Sequence, residues 1–319
     1  MKLLYAVAVS FLCFAAQAQQ WPSRPVRLVV AYPPGGGIDV LARQLADKLA
    51  PQWSQPVVVE NKPGANTIVA AESAARSTPD GYTVLMTTDA TFSINPHIYA
   101  RLPYDPQRDF IPVTMLVLLQ QLLLANPALP ADTLLQLISY ARSNPGKINY
   151  ASYGSGSQPH LSGEMLKFKA GIDLVHVPYK GISLAVPAVM AGEVQLTFAG
   201  IASSMAPLKA GRVKALAIGG PKRSELLPDV PTFAELGYSQ VGAALWFGVL
   251  VPAATPRPVI EKMNADVNRV RGEAEVATTL SQTGIEPAGT TPERFAEVLR
   301  ADAAKWKQMI REAGIAIGD

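Results

Sequence analysis

Short apolar runs alternate along this chain with stretches whose apolar residues recur every three or four positions. Residues 26–31 read as a buried strand, closed by Pro33-Pro34 and by Gly35, Gly36 and Gly37. Leu41, Leu45 and Leu49 then recur at i, i+4 and i+8, with Arg43, Gln44, Asp47 and Lys48 on the other faces. That spacing predicts an amphipathic helix, which Pro51 is expected to end. A second strand over 57–59 stops at Glu60, and a helix follows over 67–76. Pro79-Asp80-Gly81 is a turn, and 82–87 a third strand. The order is β-α-β-α-β, the pattern of a mostly parallel sheet covered by helices.

A second series starts after Asn126-Pro127. Helices are predicted over 133–142, 161–169, 182–191 and 203–210, and strands over 148–151, 173–177, 194–198 and 213–218. A strand over 246–251 and a rigid connector over 252–258 come next. Ile260, Met263, Val267 and Val270 form a helical stripe. The last helix has clear boundary chemistry, with Thr291 as cap, Pro292 in the first turn and Gly314 past the end. Phe295, Leu299, Trp306 and Ile310 line its apolar face as core residues. Apolar segments at 116–125 and 247–251 bracket the second series and are expected to cross between lobes as a hinge. The chain is therefore expected to be an α/β protein with one lobe over 19–123 and 248–319 and another over 124–247.

The N-terminus adds a compartment. Lys2 precedes an uncharged apolar stretch to Ala16, and Ala16-Gln17-Ala18 reads as a small-x-small cleavage site. The stretch is too short to span a bilayer, which takes roughly 20 residues. Residues 1–18 are thus expected to be a signal peptide, and the chain to be exported to the periplasm. Cys13, the only cysteine, would leave with it, and 27 basic and 25 acidic residues would remain. Without thiols there is no disulfide framework and no thiolate nucleophile. No basic run with interleaved aromatics points to nucleic acid.

Candidate chemistry lies in the loops after strands, where open α/β sheets bind ligands. Gly36, Gly37, Ile38 and Asp39 open the first helix, whose free N–H groups favour an anion. Asp39 reads either as a cap of that helix or as a ligand contact. Thr88 and Asp89 follow the third strand, and residues 152–158, with Ser155, Ser157 and Gln158, form a matching Ser/Gly loop in the second lobe. Gly35-x-Gly37 with Glu60 would suit a dinucleotide site, but Val40 occupies the third glycine position. No cofactor is expected. His97, His160 and His176 lack metal-ligand spacing, so no metal is expected either. A Ser155 or Ser157 nucleophile with His160 would make a periplasmic hydrolase, but no orienting acid is evident.

An ordered set of motifs carries a resemblance from Trp21 onward. It comprises Trp21-Pro22-Ser23-Arg24-Pro25, Pro33-Pro34-Gly35-Gly36-Gly37-x-Asp39, Pro56-Val57-Val58-Val59-Glu60-Asn61 and Pro79-Asp80-Gly81-Tyr82. Ile94-Asn95-Pro96, Leu102-Pro103-Tyr104-Asp105, His176-Val177-Pro178-Tyr179-Lys180-Gly181, Leu227-Pro228-Asp229-Val230-Pro231-Thr232 and Trp246-Phe247-Gly248 complete it. The chain resembles the Bug or TctC family of periplasmic solute-binding proteins that serve tripartite tricarboxylate transporters. The resemblance implies two Rossmann-like lobes of the type II periplasmic-binding-protein kind, joined by crossing hinge strands. It implies a monomer that catalyses nothing, clamps a small carboxylate and hands it to integral membrane subunits; a receptor signalling to a sensor is the alternative. Mapped by motif, Gly36, Gly37, Ile38, Asp39, Thr88, Asp89, Ser155, Ser157 and Gln158 would hold the ligand. Four positions depart from the family pattern: Ile38 for a common Thr, Asn66-Thr67 for a glycine pair, Asp89 for a small hydroxyl residue and Ala199 for an Asp or Asn. An ionised Asp89 would repel a carboxylate in a dry pocket, which admits an amino-bearing organic acid as ligand.

Overall fold

The computed structural model describes residues 21–220, 222–242, 244–282 and 285–315. The expected signal peptide and Cys13 lie outside the described residues.

Two sheets organise the chain. The first has six strands in the order β11-β4-β10-β3-β1-β2, formed by β1 (Val26–Val30), β2 (Val57–Asn61), β3 (Thr83–Thr88), β4 (Phe110–Leu119), β10 (Leu245–Pro252) and β11 (Ile285–Pro287). The second has five in the order β7-β6-β8-β5-β9, from β5 (Gln121–Ala125), β6 (Ile148–Ser152), β7 (Leu174–Pro178), β8 (Leu196–Gly200) and β9 (Lys214–Ile218). In each sheet the βαβ units pair in parallel, β1 with β2 and β3, and β6 with β7 and β8. The returning strands β10 and β5 pair antiparallel to their neighbours.

Helices α1 (Gly37–Trp53) and α2 (Ile68–Ala75) serve the first series, with a short α3 (Asn95–Ile98) after it. Helices α4 (Leu134–Ser143), α5 (Gln158–Ala170), α6 (Ile182–Ala191) and α7 (Ile201–Lys209) serve the second. Helices α8 (Arg257–Arg271), α9 (Ala274–Gln282) and α10 (Pro292–Ala313) close the chain. The apolar strand runs are continuous because helices cover both faces of each sheet. Val26, Leu28 and Val30 join Leu45, Leu49, Trp53 and Met263 on one face of the first sheet. Val29 and Ala31 join Ala70, Trp246, Leu250, Phe295 and Leu299 on the other. In the second sheet Leu122 and Leu124 face one core while Leu123 and Ala125 face the opposite one. The strand period of two divides each run between two cores.

One crossing agrees with the pattern reading, and two features differ from it. Helix α1 runs through Pro51 to Trp53, so the proline sits in the last turns of the helix and does not end it. The chain leaves the first sheet after Leu119 and enters the second at Gln121, with only buried Gln120 between, so β4 and β5 form a nearly continuous extended crossing. The return is not a strand: it runs through the irregular segment between Ile218 and Leu245, and β10 pairs only with β3 and β4. Pro228 and Pro231 in that segment cannot donate to a ladder.

Helix α10 belongs to both sheets. Phe295 and Leu299 pack on the first, while Trp306, Met309 and Ile310 enter the main core of the second beside Tyr150 and Phe198. Thr291 caps it by accepting from the Arg294 N–H at 3.2 Å, and Gly314 ends it in the left-handed region at φ 62°. Gly248 explains one of the motif glycines: a Cβ there would lie 2.3 Å from the Phe295 ring. Among the described residues, no helix is long and apolar enough to cross a membrane.

Candidate functional site

The C-terminal ends of β1, β3 and β6 deliver three turns to the junction between the sheets. In the first turn, Gly35 takes φ 84°, a left-handed conformation that only glycine adopts cheaply. Helix α1 then opens at Gly36, whose carbonyl accepts from the Val40 N–H at 3.0 Å and which offers no side-chain cap. The N–H groups of Gly37, Ile38 and Asp39 therefore have no carbonyl one turn back.

Asp39 neither caps α1 through its first-turn amides nor stands free. Its Oδ2 accepts from the Gly35 N–H at 2.9 Å and from Arg43 Nε at 3.0 Å, and its Oδ1 accepts from Asn61 Nδ2 at 2.8 Å. Burial would raise its pKa, but these donors outweigh burial and hold the carboxyl below its ordinary range. Asp39 thereby ties the glycine turn to the end of β2. Ile38 points its side chain into the core with Leu41 and Leu45, so only its backbone faces the turn.

The second turn follows β3. Thr88 Oγ1 shares a hydrogen bond with the Tyr32 hydroxyl at 2.9 Å and accepts from the Ala90 N–H at 3.3 Å. The π-helical turn Ala90–Ile94 is held from below by Thr91, whose hydroxyl pairs with Thr87 at 2.6 Å and Thr67 at 2.7 Å. Asp89 is fully buried, and neither of its carboxyl oxygens has a hydrogen-bond partner among the described residues. Burial first, and then the nearby Asp302 carboxyl, push its pKa well above the carboxylate range.

The third turn is the Ser/Gly loop after β6. Gly154 and Gly156 take φ 136° and 79°. Ser157 Oγ donates to the Gly154 carbonyl at 2.6 Å, and the Gly156 N–H donates to His160 Nδ1 at 3.1 Å. Ser152 Oγ pairs with His176 Nε2 at 2.7 Å, and the two histidine rings stack at 4.0 Å. Burial lowers the pKa of both, His176 to about 4 with His160 as the second cause. Gln158 is buried at the start of α5 and Ser155 is exposed. His160 is thus engaged through Nδ1 by a backbone amide and Ser157 by a carbonyl. Glu164, the carboxylate beside His160, accepts from the Tyr150 hydroxyl at 2.7 Å and from Lys167 at 3.0 Å. This is a scaffold for a loop and not a nucleophile with a base.

The turns meet across the junction. Asn66 Nδ2 donates to the Gly156 carbonyl at 2.9 Å and to Asn95 Oδ1 at 2.8 Å, and Asn95 Nδ2 returns a bond to the Asn66 carbonyl at 2.7 Å. Tyr153, from the second sheet, is close enough to Tyr32 and Asp89 for both to raise its pKa, after burial as the main cause. The Gln121 amide stands against the Tyr153 hydroxyl, and Gln121 Oε1 is buried without a partner among the described residues. Pattern reading singled out Asn66 only as a departure from the family pattern, and did not place Tyr32, Asn95, Gln121 or Tyr153 among the candidate site residues. Gln120-Gln121 interrupting an apolar run was the visible signal for one of them.

Comparison with known proteins agrees with this architecture. The family model described as "Tripartite tricarboxylate transporter family receptor" matches residues 41–315. A protein from the tcbD-tcbE intergenic region of Pseudomonas sp. (strain P51) is 35% identical, over 98% of this chain and 94% of that protein. The structure of an R. palustris protein, Rpa4515, with adipate superposes with a TM-score of 0.86 at 34% identity, covering 93% of this chain and 99% of the other. That of the periplasmic binding protein BugD does so at 0.84 and 31% identity, again over 93% and 99%. BugD is a binding protein, and the resemblance to the Bug and TctC proteins runs over 93% of this chain. The chain is a solute-binding protein and belongs to the tripartite tricarboxylate transporter receptor family.

Proposed function

We propose that this protein is exported to the periplasm, closes its two sheets as lobes around one small carboxylate or amino-bearing organic acid, and delivers it to the membrane subunits of a tripartite tricarboxylate-type transporter. The observation that carries the reading is the convergence of three strand-end turns, two from one sheet and one from the other, bridged by Asn66 Nδ2 on the Gly156 carbonyl at 2.9 Å. The first-turn amides of α1 and the N-terminal end of α5 then offer an anion dipoles from both sides.

Gly36 and Gly37 support the same reading. A Cβ on either would meet only ordinary neighbours, the Pro33 carbonyl at 3.8 Å and the Phe247 ring at 3.9 Å. Internal packing does not require glycine there, whereas a ligand approaching the backbone does. In this reading Gly36, Gly37, Ile38 and Asp39 contribute through their backbone, with Thr88, Asp89, Ser155, Ser157 and Gln158 completing the chamber. Binding of adipate by Rpa4515 is consistent with an organic acid as cargo.

A thermal-shift screen of carboxylates, amino acids and aromatic acids tests the proposal. A true ligand at 100 times its Kd adds about 2.7 kcal/mol of stability. Stoichiometric binding without product is the expected result. A folded protein that responds to none of these acids, or that converts one of them, overturns it.

A further inference from the structure

Three buried oxygens at the junction lack a partner within hydrogen-bond geometry among the described residues, Asp89 Oδ1, Asp89 Oδ2 and Gln121 Oε1; the Ala90 N–H and the Thr88 hydroxyl come near enough to Asp89 only to lower its pKa in part. They come from different sheets, Asp89 from the end of β3 and Gln121 from the first position of β5. Tyr153 connects them, since its hydroxyl meets the Gln121 amide and lies close to Asp89 and Tyr32. Burying a polar atom without a partner is costly, so three joined through Tyr153 mark a site completed by something else.

The chemistry of that partner follows from counting donors. A carboxylate brings only acceptors and would add a negative charge beside two acids, Asp89 and Asp302. Asp302 is already held by Trp246 Nε1 at 3.0 Å, and the cation facing the pair, Lys305 of α10, is exposed. A primary ammonium brings three donors and no acceptor, and it is the kind of charge a buried carboxylate can balance.

We propose that Asp89 and Gln121, flanked by Tyr32 and Tyr153, form a specificity subsite for the ammonium end of an amino acid whose carboxylate rests on the helix amides. This rests on the receptor reading above and narrows its ligand class. Burial and then the Asp302 carboxyl raise the Asp89 pKa well above its ordinary range, against the opposing pull of the Ala90 N–H, Lys305 and Thr88. The groups facing Asp89 are Asp302 and Lys305 from α10, Thr88 from its own strand, Tyr32 from the first turn and Tyr153 from the third. An ammonium stabilises the ionised carboxyl, so binding releases to the buffer the proton that Asp89 carries in the free protein.

The test is calorimetry in two buffers of different ionisation enthalpy. The ligands are straight-chain ω-amino carboxylates and α-amino acids, with dicarboxylates and monocarboxylates of matching length. Wild type, Asp89→Asn and Asp89→Ser are compared, each checked for folding by circular dichroism. The expected result is that an amino compound binds at least tenfold tighter than its length-matched partners, with proton release. Both variants should lose the preference and the proton release. Dicarboxylates or monocarboxylates binding as well as the amino compounds, with the Asp89 variants unchanged, would overturn the subsite and leave the receptor reading intact. Wild type that binds no member of any series would overturn the receptor reading itself.

Discussion

Replacing Asn66 by Asp probes the bridge between the sheets with almost no change of shape. Asn66 sits in the left-handed region at φ 47°, between Ala65 at 44° and Thr67 at 77°, and Asp tolerates that conformation nearly as well as Asn. What changes is the donor. Nδ2 makes two bonds, one to Gly156 across the junction and one to Asn95 within the first series. Replacing it by a carboxylate oxygen removes both and leaves acceptors facing acceptors. At about 1 kcal/mol for each bond, the loss of stability is about 2 kcal/mol, with unsatisfied carbonyls adding to it. Only the Gly156 bond couples the two turns. Its share, about 1 kcal/mol, is roughly a fivefold shift in the closing equilibrium and hence a roughly fivefold weaker Kd. Urea denaturation gives the first number and titration with a ligand from the screen gives the second. A variant with wild-type stability and wild-type Kd would refute the view that Asn66 bridges the lobes.

Three further perturbations test the surrounding structure. Gly163→Ala places a Cβ 2.2 Å from Tyr150 Cε2, a ring tethered through its hydroxyl to Glu164, so a loss of about 1–3 kcal/mol in denaturant midpoint is expected; wild-type stability would mean the ring moves freely. His176 has a pKa of about 4 in the folded protein against about 6.5 unfolded, so the unfolded chain binds the extra proton between these values. Its contribution is whole above about pH 6.5 and is lost as pH falls towards 4; for a half-exposed ring it is about 1–2 kcal/mol, and His176→Gln should flatten the stability profile in that window. Trp246→Phe removes the 3.0 Å bond to Asp302 and leaves a largely buried acceptor, which should cost about 1–3 kcal/mol by urea denaturation; an unchanged midpoint would show that water replaces the indole.

Much of the fold was legible because strand and helix periods are local. Leu122 to Ala125 read as strand from composition alone, and their continuous apolarity already implied helices on both faces. Thr291, Pro292 and Gly314 marked the ends of the last helix through capping chemistry that acts within four residues. Which sheet a residue meets is not local. Phe295 and Trp306 share one apolar stripe, yet one packs on the first sheet and the other enters the core of the second. Pro51 misled because a proline near a helix end loses little when the carbonyl it would face is already near the terminus. The candidate turns were legible in the sequence, and their contacts were not. Gly36, Thr88 and Ser157 announced themselves by following strands, whereas the roles of Asp39 and Asp89 depended on what stood opposite. Asp39 found Gly35, Arg43 and Asn61; Asp89 found none among the described residues. Two acids of identical chemistry thus end with opposite pKa shifts, set by tertiary neighbours.

Receptor function requires that one bound molecule touch both sheets at once. A crystal structure with the strongest ligand from the screen measures this directly. The expected density lies against the Gly36–Ile38 backbone on one side and the 154–158 loop on the other, with Asp89 and Gln121 at its far end. Density held by one sheet alone, or on an outer helical face, would contradict the account.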